Sequence, residues 1–162
     1  MGKLYGNIEN RFQEGRNYTE RDIQVGDDIT MYYWSDRTCY YVTEVIDKKH
    51  IKVMQYHVCA DKEKANGMGH QEWLYFKSLR EMDAYTKIRH SEQMYEADEK
   101  MEAETWAFRY GKWMRELTCT DENDCTAREL DSLKKNGYYK RYYNLQGKVS
   151  FGVRDYYYDW EF

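Results

Sequence analysis

The chain has 162 residues, of which 33% are charged and 17% aromatic, with eighteen Tyr, no Pro and a formal net charge of −4. Such a length suits a single domain of about 100–200 residues, and the aromatic content excludes an intrinsically disordered chain. No apolar run reaches the roughly 18 residues that cross a bilayer, and the stretch from Met1 to Asn7 has no apolar h-region, so a cytoplasmic protein is the expectation.

Residues 1–22 are polar with scattered Leu4, Tyr5, Ile8, Phe12 and Tyr18, and read as an irregular or partly helical lead-in to one domain over 23–162. From Val25 the texture changes. Ile29, Met31 and Tyr33 alternate with Thr30 and Tyr32; Tyr40, Val42, Glu44 and Ile46 alternate with Tyr41, Thr43 and Val45; and 51–56 alternates again after Asp47-Lys48-Lys49-His50. Period-two alternation in runs rich in Val, Ile, Thr and Tyr predicts antiparallel strands with one face buried and one wet. Asn66-Gly67-Met68-Gly69 reads as a loop, and 72–76 as a fourth strand.

Residues 78–104 form an insertion of helical composition, with Leu79, Met82, Tyr85, Ile88, Met94, Tyr95 and Met101 at three- and four-residue steps. An acidic helix packed over the sheet is expected there, an exposed excursion being the alternative. Trp106, Phe108 and Tyr110, then Trp113, Arg115 and Leu117, predict a hairpin turning at Gly111-Lys112. A second insertion, 118–147, contains the capping-box run Thr126-Ala127-Arg128-Glu129, with Lys134 and Lys135 near the far end and Asn136-Gly137 as a stop. Those signals predict a helix over about 127–135. The remainder is strand-like, with a turn near Gln146-Gly147. The expected class is therefore mainly β (β-rich α+β): an SH3-like small antiparallel barrel or curved sheet carrying one or two inserted helices.

Chemistry-bearing patterns are sparse. Walker-type and dinucleotide glycine patterns, G-x-S-x-G and H-E-x-x-H are all absent. Cys39, Cys59, Cys119 and Cys125 form no C-x-x-C pair and read as free thiols, with no metal and no cofactor expected. His57 and Cys59 would share one side of a strand, the spacing of packing neighbours more often than of a nucleophile and its base. Asp121-Glu122-Asn123-Asp124 lacks the central glycine and distal glutamate of an EF-hand loop. The expectation is a protein that is not an enzyme.

Charge, by contrast, is sorted. Between 81 and 104 there are eight acids and three bases; between 134 and 148 there are five bases, four tyrosines and no acid. Two candidate partner-binding sets follow. Glu92, Glu96, Asp98, Glu99 and Glu102 offer carboxylates to a cationic surface. Tyr138, Tyr139, Lys140, Arg141, Tyr142 and Tyr143 combine rings that stack on bases with cations that neutralise phosphates. On a strand each face of the second run receives two rings and one cation, so core packing with solvated cations, or a protein interface, accounts for the same residues.

Val25-Gly26-Asp27-Asp28-Ile29-Thr30, Tyr33-Trp34-Ser35-Asp36-Arg37, Tyr41-Val42-Thr43-Glu44-Val45, Lys52-Val53-Met54-Gln55 and Asn66-Gly67-Met68 stand in this order along the chain. Together with Glu72-Trp73-Leu74-Tyr75, Arg109-Tyr110-Gly111-Lys112-Trp113 and the closing 149–162 run, they resemble a family of small phage and prophage proteins of Gram-positive bacteria. The resemblance covers 25–76, 105–117 and 148–162. It implies a phage setting but no mechanism, makes Trp34, Tyr157 and Phe162 scaffold residues, and leaves function to the added segments 78–104 and 118–147. In that setting the expectation is a counter-defence inhibitor, anti-CRISPR-like, that binds a host defence protein or nucleoprotein complex stoichiometrically. The alternative is a nucleic-acid-binding accessory protein, or a sponge for nucleotide signals, using the Tyr/Lys/Arg run.

Overall fold

The computed structural model describes residues 23–33, 35–64 and 71–158. The expected lead-in over 1–22, Trp34, the 66–69 loop and the chain from 159 onward lie outside them. In chain order the described elements are β1 (Asp28–Tyr33), β2 (Asp36–Asp47), β3 (His50–Gln55), β4 (His57–Ala60), β5 (Trp73–Phe76), α1 (Leu79–Thr86) and α2 (Glu92–Glu99). They continue with β6 (Glu104–Arg109), β7 (Lys112–Cys119), α3 (Ala127–Asn136), β8 (Tyr139–Asn144) and β9 (Lys148–Phe151). With 44% strand and 20% helix among the described residues, this is the β-rich fold with inserted helices that the alternation predicts.

Seven strands form one antiparallel sheet in the order β8-β7-β6-β3-β2-β1-β9, and β4 pairs with β5 in a separate hairpin. The large sheet is curled into a half-barrel. In a flat sheet, five spacings of about 4.8 Å would hold β7 and β9 roughly 24 Å apart. Yet the rings of Trp113 on β7 and Phe151 on β9 have centroids 5.6 Å apart. The β8–β9 connection demands the same curl. Residues 145–147 link opposite edges of the sheet, and so short a segment reaches at most about 14 Å. Through the ladders Asn144 lies level with Asp47, and Lys148 level with Arg37. That offset along β2 is the stagger a sheet needs in order to roll up. Gly147 makes the crossing possible: a Cβ there would lie 2.1 Å from the Tyr32 carbonyl oxygen.

Ile29, Val53 and Trp106, each fully buried, centre the core inside the curl. The other face of β1 and β2 is not wet, contrary to the expected alternation of buried and exposed faces. Cys39, Tyr41 and Tyr56 form a second cluster there, packed with Tyr75 of β5 and Tyr156 of the C-terminal segment. That segment is pinned through Thr30, whose Oγ1 donates to Val153 O (2.7 Å) and accepts from Asp155 N (3.2 Å), and by Arg37–Asp155 at 2.5 Å. Burial pushes the Cys39 thiol up to about 11, as an inert packing cysteine requires.

Two local expectations shift. The β6–β7 turn is centred on Tyr110-Gly111, not Gly111-Lys112: Arg109 pairs with Lys112, and both central residues have positive φ, 53° and 74°. The insertion over 78–104 is two short helices, not one. Ser78 caps α1, Lys87 ends it in the left-handed region at φ 60°, and Ser91 caps α2. The capping-box helix lies where it was expected, with Thr126 and Glu129 exchanging bonds and Gly137 closing it at φ 80°.

Candidate functional site

Residues 78–104, which carry α1 and α2, hold eight carboxylates against four cations, and so account by themselves for a net charge equal to that of the whole chain. The structure divides the five predicted carboxylates into two roles. Glu92 and Glu99 both bind Arg80, which donates Nη2 to Glu92 and Nε to Glu99, each at 2.9 Å, while its guanidinium lies 4.6 Å from the Tyr95 ring centroid. Asp98 is an anchor. Its Oδ1 accepts from His57 Nε2 on β4 (2.6 Å), and its Oδ2 accepts from the first amide of α1, Leu79 N (2.9 Å). Glu96 and Glu102 are exposed, and among the described residues neither forms an ion pair.

A second anchor fixes the α1–α2 turn. Asp83, almost fully buried, accepts through Oδ2 from Tyr95 OH (2.6 Å) and bonds His90 Nδ1 (2.5 Å). Burial alone would raise the Asp83 carboxyl; the bonds from Tyr95 and His90 outweigh it and hold the group below its ordinary value. The lobe is therefore held in one shape by polar ties rather than by a large apolar seam. Of the seven apolar residues predicted to pack it, Leu79 and Tyr95 are buried, whereas Tyr85, Ile88, Met94 and Met101 (62% exposed) face solvent. Within α2, Met94 stands two positions from both Glu92 and Glu96, which places it across the helix from Glu92, Glu96 and Glu99, and Met101 lies just past the helix end. The successive three-residue steps from Leu79 through Met82 and Tyr85 to Ile88 were the available signal, because against a 3.6-residue period such a stripe drifts and cannot all face inward.

The Tyr/Lys/Arg run is mostly committed to the fold. Tyr139 is buried, with its hydroxyl donating to Asp121 O (3.0 Å). Arg141, on the same side of β8, donates Nε to Glu129 Oε2 of α3 (2.8 Å) and also bonds Asp124 O. The guanidinium holds the Glu129 carboxyl down at about 2. On the other side Lys140 donates to Glu116 (3.0 Å) and Thr118 (2.7 Å), and Tyr142 lies beneath Arg109. Tyr138 and Tyr143 are exposed. Of the six, Arg141 thus fastens α3 to β8, Tyr139 holds the preceding loop, Lys140 and Tyr142 engage the neighbouring strands from the other face, and Tyr138 and Tyr143 are left as outward rings.

Catalytic geometry is not assembled from the His57–Cys59 pair. His57 Nε2 is taken by Asp98, and burial, with Asp61 second, pushes the Cys59 thiol up, the reverse of an activated nucleophile. Asp121 begins a turn, accepting from Asn123 N (2.9 Å), and among the described residues no group of three or more His, Cys, Asp or Glu could hold a metal ion. No described helix is long and apolar enough to cross a membrane. Compared with protein-family models, curated proteins and solved structures, the chain matches none.

Proposed function

We propose that the protein is a non-catalytic binding protein whose α1–α2 lobe docks on a cationic surface of a partner protein. The observation that carries this reading is the division of labour among the acids. Asp98 and Asp83 fix the lobe internally, Arg80 braces α2 through Glu92 and Glu99, and among the described residues Glu96 and Glu102 form no ion pair. A pre-shaped acidic side of α2 supplies charge complementarity, and the exposed Met94 and Met101 offer adaptable apolar contact elsewhere on the lobe, at little ordering cost on binding. The resemblance to phage proteins supplies the setting, in which a nucleic-acid-targeting host effector is a partner with a cationic channel.

The test is inhibition. Purified CRISPR and restriction effectors are assayed for DNA cleavage as the protein is titrated in. The reading expects stoichiometric loss of cleavage at micromolar protein, relieved by Glu96→Lys with Glu102→Lys and unaffected by Lys140→Ala. Inhibition that survives the double charge reversal, or cleavage that proceeds unaltered with every effector, overturns it.

A further inference from the structure

The β6–β7 hairpin carries an unusual residue at its tip. A two-residue turn with positive φ at both positions favours Asn-Gly or Asp-Gly, since other L side chains are strained in the left-handed region. Here the first position is Tyr110, at φ 53°, and its ring is 84% exposed. The ring lies outside the core and does not ease the turn, and its contact is with the Arg109 guanidinium beside it, so the turn itself would be better served by Asn.

Its neighbours are cations without counter-charges. The Arg109 guanidinium carbon lies 4.0 Å from the Tyr142 ring centroid and 5.7 Å from that of Tyr110. Lys112 faces Arg109 across the hairpin. Phe108 N donates to Lys49 O (2.7 Å), which brings the Lys48–Lys49 turn alongside the same end of the sheet. Among the described residues no carboxylate forms an ion pair with Lys48, Lys49, Arg109 or Lys112. Asp47, in the adjoining turn, is already engaged by Lys49 N (2.7 Å) and His50 Nδ1 (2.8 Å). Arg80, Lys140 and Arg141, by contrast, all hold carboxylates.

Unpaired cations beside an outstanding ring and a cation–ring stack are the chemistry that recognises a flexible polyanion with exposed planar groups. We infer that the tip formed by Arg109, Tyr110, Lys112, Tyr142 and the Lys48–Lys49 turn is a binding site for single-stranded nucleic acid. An unpaired base stacks on Tyr110, and the flanking phosphates meet the lysines. The site uses none of the α1–α2 lobe, so it stands or falls separately from the docking reading. Duplex DNA would offer the cations its phosphates but keep its bases from the ring.

Fluorescence anisotropy with labelled oligo-dT and oligo-U of about fifteen nucleotides, near the span of one binding fold, tests it. The expected result is micromolar binding that weakens with salt, with a log–log slope of about −2 for three neutralised phosphates. Tyr110→Asn suits the turn better than the parent residue, so it unfolds at the same or a higher temperature while binding about tenfold more weakly, the loss of one base stack. Lys48→Glu with Lys112→Glu flattens the salt slope. Lys140→Ala, whose cation is already paired, leaves affinity unchanged. Equal binding by Tyr110→Asn, tighter binding of a duplex of the same length, or complete displacement by poly-glutamate with no dependence on Tyr110 overturns the inference.

Discussion

Asp98 is the point at which the α1–α2 lobe can be released without disturbing the sheet. Asp98→Ala removes the acceptor of His57 Nε2 at 2.6 Å and that of Leu79 N at 2.9 Å. The Asp98 side chain is only 12% exposed, so water replaces these bonds incompletely. Two hydrogen bonds to a carboxylate, with partial repair, put the loss at about 2–3 kcal/mol. The loss falls on the lobe, because the hydrogen bonds of Asp98 tie α2 to α1 and β4 rather than to the strands of the large sheet. Amide hydrogen exchange by mass spectrometry reads this directly. Peptides covering α1 and α2 should exchange roughly 30–150-fold faster, the equivalent of that free energy. Peptides from β2, β3 and β6 should keep their protection. Asp98→Asn, which keeps an acceptor for the Leu79 amide, should fall between the two. Unchanged exchange in α1–α2, or equal acceleration across the sheet, refutes the assignment of Asp98 as a local anchor.

Two further outcomes test how the sheet closes and how α3 is held. Gly147→Ala places a methyl against the Tyr32 backbone carbonyl, which no rotamer can relieve, and should cost about 3 kcal/mol, or roughly 6–12 °C in Tm for a chain of this size. Gly137→Ala, at φ 80° but with open space around it, should cost less, about 1–2 kcal/mol; thermal melts that reverse this order contradict the close-approach account. Glu129 has its folded pKa depressed from 4.5 to about 2, so its pairing contributes stability above pH 4.5 and loses it as pH falls toward 2. Urea midpoints of Glu129→Gln should accordingly depend less on pH than the parent's across that interval, and parallel pH profiles would remove Arg141–Glu129 as the cause.

The strands were legible because the alternation at 29–33, 40–46 and 51–56 is a local signal, and so was α3, whose capping box and glycine stop lie within twelve residues of each other. Pairing was not local. β3 finds β6 across the whole lobe, and β8 and β9, adjacent in sequence, take opposite edges. Only rolling of the sheet reconciles a short link with that order, and the residue that permits the link, Gly147, is marked by a close approach rather than by an unusual φ. The break between α1 and α2 also escaped notice, because it has neither Gly nor Pro and Lys87 takes the left-handed position. The β6–β7 turn was displaced by one residue for a related reason: a tyrosine is not the residue a positive-φ position announces.

Sign of charge can be read from composition, but whether a charge is free depends on pairing. Lys140 and Arg141 stand among four tyrosines and, as a string, look like a platform for nucleic acid. Strand alternation sends Arg141 to Glu129 and Lys140 to Glu116, from opposite faces and from partners 12 and 24 residues away. The same holds in the acidic lobe, where Asp98 and Asp83 are consumed by the fold, whereas Glu96 and Glu102 form no ion pair among the described residues. A paired ion has already exchanged its hydration for a fixed partner, so recruiting it to a ligand means breaking that bond first. Binding surfaces should therefore be sought at the unpaired charges. Among the described residues Lys48, Lys49, Arg109 and Lys112 at one end of the sheet, and Glu96 and Glu102 on the lobe, are charges of that kind.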